Sequence, residues 1–409
     1  MRQYGKYLPA SRPMPSTLLT PERLRATLGR SKPGAATGVD GWSYKELQLL
    51  PDPFLARLCD LLHAIEQTGQ WPAALTVGLI SPIPKGGGLT AADIRPISVM
   101  SCIYRLWAAC RCAELVEWQN SWITSAVSSY RPSCGCEDVW WPTTLDIEHA
   151  VLHGQELCGA NLDFAKAFDR LPKEVLLEIA AQMGMDVGLH RALSGMYCQL
   201  QRRWKTGKAV GSPFRSTNGI LQGCPLSVIL LNMFVQTWAN MLLDKCPTVC
   251  PRAYADDLGV SCSDPDHLQD ALDATHAFAV ATGMAISADK SLVWATTSQG
   301  RRAVGRCEVG GEPIPVVTEA RNLGAHLSFS RRRGKTTLSV KLEGALIMCD
   351  RIQMLPLPME VRSLLVGQLV ISRALYACAA TAPSRAQIRK LRSRCCRAIW
   401  GQANRTRAP

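Results

Sequence analysis

The chain has 409 residues, 47% hydrophobic and 19% charged, with 46 Lys/Arg against 33 Asp/Glu for a formal net charge of +13. That length, with a mean hydropathy of +0.01, allows more than one buried core and excludes a wholly disordered protein. Residues 301–409 hold 20 Lys/Arg and 6 Asp/Glu, net +14, which leaves 26 against 27 for residues 1–300. A one-signed field over one segment suits an anionic polymer. Seventeen cysteines stand in a chain whose first 16 residues lack an apolar run. Reduced thiols in an intracellular, reducing compartment are therefore expected, with no disulfide framework. His149, His153 and Cys158 have loose ligand-like spacing, which the ligand arithmetic of zinc weighs against.

In chain order, residues 1–36 predict an arm with one helix over 21–29, capped by Thr20 and with Pro21 in its first turn. TGVDGWSYKELQLLP at 37–51 predicts a turn into a helix. An amphipathic helix follows over 54–67 on Leu55, Leu58, Leu61, Leu62 and Ile65. Residues 76–85 read as a strand whose prolines place it at a sheet edge. Three glycines at 86–88 precede DIRPIS at 93–98 and a long helix to about residue 119. Residues 121–145 read as irregular, 156–168 as a strand running into a turn, and 172–183 and 188–200 as helices. A hairpin follows at 202–217. The charge-free run 216–243 is interrupted by Asn218, Gln222, Asn232, Gln236 and Asn240, and so reads as a buried helix and not a membrane span. A strand at 251–262 and a helix at 265–282 come next. From about residue 330 the pattern is helical, on Leu338, Leu342, Leu346 and Leu364, Leu365, Leu369. Its basic side chains include Arg331, Arg332, Arg333, Lys335 and Lys341, then Arg385, Arg389, Lys390, Arg392, Arg394 and Arg397.

Two strands end in acids within apolar surroundings, at Asp163 and at Asp256-Asp257. Apolar flanks on both sides of the pair, Tyr254-Ala255 and Leu258-Gly259-Val260, read as a hairpin with the acids at its tip; an isolated pair would be a solvated turn. Buried like charges need a partner, and a divalent cation with oxygen ligands supplies one. Asp163 can bridge from the other strand, which points to two-metal displacement at phosphorus.

These segments resemble reverse transcriptases of non-LTR (LINE-like) retrotransposons. YADD at 254–257 is similar to the catalytic hairpin of the polymerase palm, LDFAKAFDRL at 162–171 to the first palm motif, and GILQGCPLS at 219–227 to the motif opening the palm helix. TGMAISADKS at 282–291 and RNLGAHL at 321–327 resemble the two motifs that follow. TGVDGW at 37–42, ISPIPKGG at 80–87 and IRPIS at 94–98 resemble finger motifs. The eight occur in family order.

The resemblance implies an α+β right-hand polymerase fold, with an N-terminal arm at 1–36, fingers and palm (an antiparallel sheet with helices packed on it) at 37–327, and a basic helical thumb at 328–409. It implies an RNA-directed DNA polymerase extending a DNA primer on an RNA template with dNTPs, by two Mg²⁺ ions or Mn²⁺ in their place. Asp163, Asp256 and Asp257 would be the catalytic metal carboxylates and the Phe164 carbonyl a further ligand. Lys85 and Arg95 would reach the triphosphate. Phe168 would wall off a ribose 2′-OH, where the bland reading is core packing. Gln222 would contact the template base or nucleotide, or else cap a helix, while Gly223 lets the backbone approach. Lys290 would sit near pyrophosphate as an acid, or be an exposed helix-end lysine. Asp169 reads as a cap for the helix from 171–172.

Family members usually carry an endonuclease before this region and a zinc knuckle after it. Neither is visible, so a piece or remnant of a longer element is expected. A group II intron-like reverse transcriptase/maturase and an inactive nucleic-acid-binding remnant are the alternatives. Arg331–333 also reads as a nuclear-localisation patch, with the nucleus as destination.

Overall fold

Helix ends in this chain follow local side-chain chemistry, as a computed structural model describes for residues 3–84, 94–330 and 336–401. Thr20 accepts from the Arg23 N–H at the start of Pro21–Arg30. Ser43 and Glu46 form a reciprocal capping box on Tyr44–Gln48, and Ser384 and Gln387 form another on Arg385–Trp400, each satisfying two otherwise orphaned N–H groups. The strands that position the site are β1 (Val77–Pro84), β2 (Ile94–Val99), β3 (Cys158–Asp163), β4 (Gln201–Thr206), β5 (Ala209–Val210), β6 (Cys250–Tyr254), β7 (Asp257–Cys262) and β8 (Leu292–Ala295). They form two four-stranded sheets, ordered β2-β1-β4-β5 and β6-β7-β3-β8. With helices between the strands the chain is α+β. Among the described residues no helix is long and apolar enough to cross a membrane.

The chain divides into two interleaved compact units: Met1–Gly135, Leu162–Gly259 and Asp270–Ser287 form the first, and Cys136–Asn161, Val260–Gln269 and Ala288–Pro409 the second. In the first, the charge-free stretch becomes the helix Ser227–Lys245, buried along most of its length. Its amide stripe is satisfied residue by residue, as burial requires. The Asn232 amide donates to the Gln119 side chain and the Ser129 carbonyl, both at 2.7 Å. Gln236 accepts from the Thr124 N–H at 2.9 Å, and Asn240 donates to the Tyr7 carbonyl at 3.0 Å. The stripe thus holds both the segment 124–130 and the arm. That arm is ordered against the same unit: the Arg12 N–H donates to the Met183 carbonyl at 3.0 Å and the Met14 N–H to Gly184 at 2.9 Å.

The edge placement expected for β1 is corrected. It lies inside its sheet, antiparallel to β2 from Leu79 to Pro84 and parallel to β4 from Val77 to Ile80. Pro82 and Pro84 fall beyond the β4 pairing, so the prolines occupy a half-strand with one neighbour and break no ladder there. Two helices of this unit cross at contact distance. A Cβ on Gly195, in Val187–Gln199, would lie 1.8 Å from the carbonyl oxygen of Gly69, which caps Asp52–Thr68. Gly195→Ala is therefore expected to lower stability by at least about 2 kcal/mol, read as a lower midpoint in urea; an unchanged midpoint would refute the close crossing.

In the second unit, the irregular reading of 121–145 holds only to residue 136. Glu137–His153 is a helix despite Pro142, which sits in its second turn and removes one backbone bond. The C-terminal helices Thr336–Gln353, Met359–Leu365 and Arg385–Trp400 share a core on Leu338, Leu342, Leu346, Val366, Val370, Leu391 and Cys395. Leu364 and Leu369 are exposed. The π-helical turn Val366–Ile371 shifts the register, bringing Val366 and Val370 inward in their place.

Candidate active site

β3 ends on Asp163, and the next residues are tied to 285–287. The Ala165 N–H donates to the Ala285 carbonyl at 2.8 Å and the Ser287 N–H to the Asp163 carbonyl at 2.9 Å, flanking an antiparallel bridge between Phe164 and Ile286. Because the bonds of such a bridge fall on the flanking residues, it does not consume the Phe164 carbonyl. The Phe164 ring is buried and meets Phe234 edge-on, with centroids 6.0 Å apart.

The other two acids stand where β6 turns into β7. Ala255 and Asp256 form the two-residue turn, and Asp257 opens β7. Ala255 has φ +54°, a left-handed conformation that disfavours any residue with a Cβ by roughly 1–2 kcal/mol. Buried Ala253 and Leu258 anchor the two arms. β6 is also lined by the segment 126–128: Ala253 donates to the Ala126 carbonyl at 2.7 Å and accepts from the Ser128 N–H at 3.0 Å.

Two of the three carboxylates are shifted by their neighbours. Burial raises the Asp256 pKa and the charge of Asp163 raises it further, while Arg95 pulls it down. The Asp257 carboxyl is pushed up to about 6, by burial first and then by Asp256 and Asp163. Asp257 is nonetheless exposed as a residue. Water reaches it and weakens the effect of burial, so the two like charges are the firmer cause. Among the described residues no group of three or more His, Cys, Asp and Glu is arranged to hold a metal ion as it stands. The donor set nevertheless fits one: hard oxygens, crowded and mutually repelling, are what a divalent cation binds.

A short segment, 219–223, joins this centre to β2. The Gly219 N–H donates to the Leu171 carbonyl at 3.0 Å, the Ile220 N–H to Phe168 at 2.7 Å, and the Ser98 N–H of β2 to Gln222 at 2.9 Å. Gly219 has φ +91°, and a Cβ there would lie 2.7 Å from the Asp169 carbonyl oxygen, which excludes other residues. Gly223 faces the Ser98 carbonyl, 3.2 Å from where a Cβ would stand. Phe168 is half-buried in the turn after Asp163, and Arg95 is exposed on β2.

The cap reading of Asp169 is corrected. Lys173–Gln182 starts after Pro172 with no side-chain cap, because the Asp169 carboxylate instead accepts from the Gln222 amide at 3.2 Å. Asp169 also faces Arg202, whose pKa burial lowers and Asp169 raises. This Asp169–Gln222–Arg202 cluster escaped the sequence, where the one signal was Gly219 placed to let the two motifs touch. Lys85 lies outside the described residues, as do Arg331, Arg332, Arg333 and Lys335. Lys290 ends the 3₁₀ turn Ala288–Lys290 and belongs to the second unit.

Residues 83–327 match the family described as reverse transcriptase (RNA-dependent DNA polymerase). The chain is 27% identical over 284 residues to the retrovirus-related Pol polyprotein of the type-2 retrotransposable element R2DM of Drosophila melanogaster, covering 66% of this chain and 26% of that protein. It is 24% identical over 285 residues to an uncharacterized 149 kDa protein of transposon TX1 of Xenopus laevis, covering 67% and 22%. Against the Pol polyprotein of the type-1 element R2 of Popillia japonica it is 25% identical over 168 residues, covering 38% and 28%. The chain thus spans about a quarter of the length of the curated relatives it matches. Among solved structures, apo telomerase from Candida tropicalis, truncated from its C-terminal domain, aligns at TM-score 0.43 and 15% identity over 62% of this chain and 53% of that one. At that score the likeness carries no argument.

Proposed function

The chain belongs to the reverse transcriptase family of RNA-dependent DNA polymerases, and from that membership we propose that it extends a DNA primer with dNTPs on an RNA template, as the polymerase part of a non-LTR retrotransposon protein. The observation that carries this reading is the convergence of a strand end and a hairpin turn, which brings Asp163 close enough to raise the pKa of both Asp256 and Asp257. The relatives' retrotransposon origin supports the element type. Residues 1–36 would then be an arm, 37–327 fingers and palm, and 328–409 the thumb. Seventeen thiols in a chain with this much core suit a reducing compartment.

Enzymes of this family work with divalent metal ions. We assign two, Mg²⁺ before Mn²⁺, to Asp163, Asp256, Asp257 and the Phe164 carbonyl, all hard oxygen donors. Bound there, the ions would activate the attacking hydroxyl and steady the leaving pyrophosphate. The chain's own groups do the rest. Arg95, close enough to lower the Asp256 pKa, holds a triphosphate oxygen, with Lys85 as its partner. Gln222, fixed by Asp169 and by its bond to β2, orients the nucleotide or template base. Lys290 is kept as the candidate acid toward pyrophosphate.

Phe168 is read as the wall against a ribose 2′-OH, its backbone held by Ile220. The purified chain should extend a DNA primer on RNA with dNTPs, and no product on RNA would sink the polymerase assignment. Phe168→Val should narrow the preference for dNTPs over rNTPs in kcat/KM by roughly tenfold or more. An unchanged ratio would remove the wall assignment and leave the polymerase intact.

A further inference from the structure

Between Asp186 and Asp244 the sequence holds no acidic residue and six Lys/Arg: Arg191, Arg202, Arg203, Lys205, Lys208 and Arg215. Five of the six lie in the ribbon built on β4 and β5. Lys205 pairs with Val210 and Thr206 with Ala209 across the turn Gly207-Lys208, and Arg202 and Phe214 exchange backbone bonds at 2.8 and 2.9 Å. Cross-strand partners share a face, and so do residues two apart on one strand. Arg202, Trp204 and Phe214 therefore lie on one face. On it the Trp204 and Phe214 rings stand nearly parallel, 21° apart with centroids at 6.3 Å. Both are exposed, Trp204 at 45% and Phe214 at 37%. Arg202 beside them is 8% exposed, and its Nε has no hydrogen-bond partner among the described residues.

Large flat rings left in water need an occupant, and the charge of this ribbon selects among candidates. Protein partners and nucleic acid can both cover an aromatic pair, but a ribbon whose own residues include cations and no acid, Asp169 facing only the buried Arg202, complements a phosphate chain. A base can stack on these rings only if its own face is free, which excludes a paired duplex. We infer that the Trp204–Phe214 face is a stacking platform for unpaired bases of single-stranded RNA, with Lys208, at the turn of the same ribbon, along its phosphates. No site residue assigned above belongs to it. The inference rests on the reading of RNA as template, and places a hold on the strand outside the catalytic centre.

The test measures binding of the full chain to a fluorescein-labelled oligouridine of about a dozen nucleotides, and to a labelled RNA duplex, by fluorescence anisotropy. Trp204→Ala should weaken single-strand binding about tenfold, within the range found for loss of one stacked base, and leave duplex affinity unchanged. Trp204→Leu keeps apolar bulk without a flat ring and should lose as much, whereas Trp204→Tyr should keep most of the affinity. Lys208→Gln should flatten the salt dependence by roughly 0.7, the value of one lost phosphate contact. Unchanged single-strand affinity in both Trp204→Ala and Trp204→Leu would overturn the platform and leave a protein-binding patch as the explanation. Equal losses for single strand and duplex would overturn it too. The two readings fail separately: no primer extension by the unaltered chain removes the polymerase, while the variants' RNA affinities decide the platform.

Discussion

Asp256→Asn and Asp257→Asn should each lower primer extension by at least about a hundredfold, while Asp257→Asn makes the metal-free protein more stable at neutral pH. The loss follows from removing a charged oxygen from the proposed metal-binding set. The gain follows from the raised Asp257 pKa. A carboxyl whose folded pKa lies above its unfolded one holds its proton more tightly in the folded state, so ionising it works against folding. That penalty is absent below the ordinary Asp value of 3.8, grows as pH rises from there to about 6, and is complete above. Since Asp257 is exposed, solvent screening reduces the gain to about 1 kcal/mol. Thermal melts in EDTA should therefore show Asp257→Asn and the unaltered chain alike near pH 3.5 and separated at pH 7. Added Mg²⁺ should stabilise the unaltered chain more than the variant. Equal melting at both pH values would mean that the three carboxylates do not crowd one another.

Arg111→Ala should cost about 3–5 kcal/mol, the largest stability loss expected of any single substitution here. Arg111 is 2% exposed on the helix Cys102–Asn120. Its guanidinium grips Glu66 with two bonds, at 2.7 and 2.6 Å. It donates also to Glu114 at 2.7 Å and to the Thr17 carbonyl at 2.7 Å. Burial pulls its pKa down, but the two carboxylates outweigh it and hold the group firmly charged. Glu114 in turn accepts from the Thr17 N–H at 3.1 Å and from Arg23 at 3.0 Å, and Glu66 from the Trp107 indole at 2.7 Å. Removing Arg111 strands two buried carboxylates. Replacing Arg111, Glu66 and Glu114 together with Met, Leu and Leu should restore much of the stability, because the penalty lies in the uncompensated charge. Burial raises the Glu114 pKa, yet its bonds to Thr17 and Arg111 bring it below normal. Its contribution is present above the usual Glu range and fades as pH falls through it. Urea titrations of the single and triple variants decide the matter; a single variant within 1 kcal/mol of the unaltered chain would contradict a buried pair.

What could be read from the residues follows how local the determining chemistry is. The YADD turn was legible because apolar residues flank two adjacent acids at strand spacing. The amide stripe of Asn232, Gln236 and Asn240 marked a buried helix, but its partners at Thr124, Ser129 and Tyr7 are distant in sequence and left no local trace. In β1 the prolines mislead, because a proline argues for an edge only over the stretch where it sits. Leu364 and Leu369 fit the periodicity of an unbroken α-helix, which a π turn displaces. Asp169 has the form of a cap, and only a contact with Gln222, across 53 residues, shows its different use. Arg111 was the plainest signal passed over, a full charge three residues from Glu114 in a helix otherwise rich in Trp, Cys and Leu.

The five residues 219–223 have a mechanical meaning. They are bonded on one side to the turn carrying Phe168 and on the other to the strand carrying Arg95. A displacement of that strand is transmitted through a single stretch of peptide to the ring assigned to inspect the sugar. With the roles proposed for Arg95 and Phe168, the grip on the triphosphate and the inspection of the sugar would be one lever rather than two, and a nucleotide that fits badly at either end would loosen both.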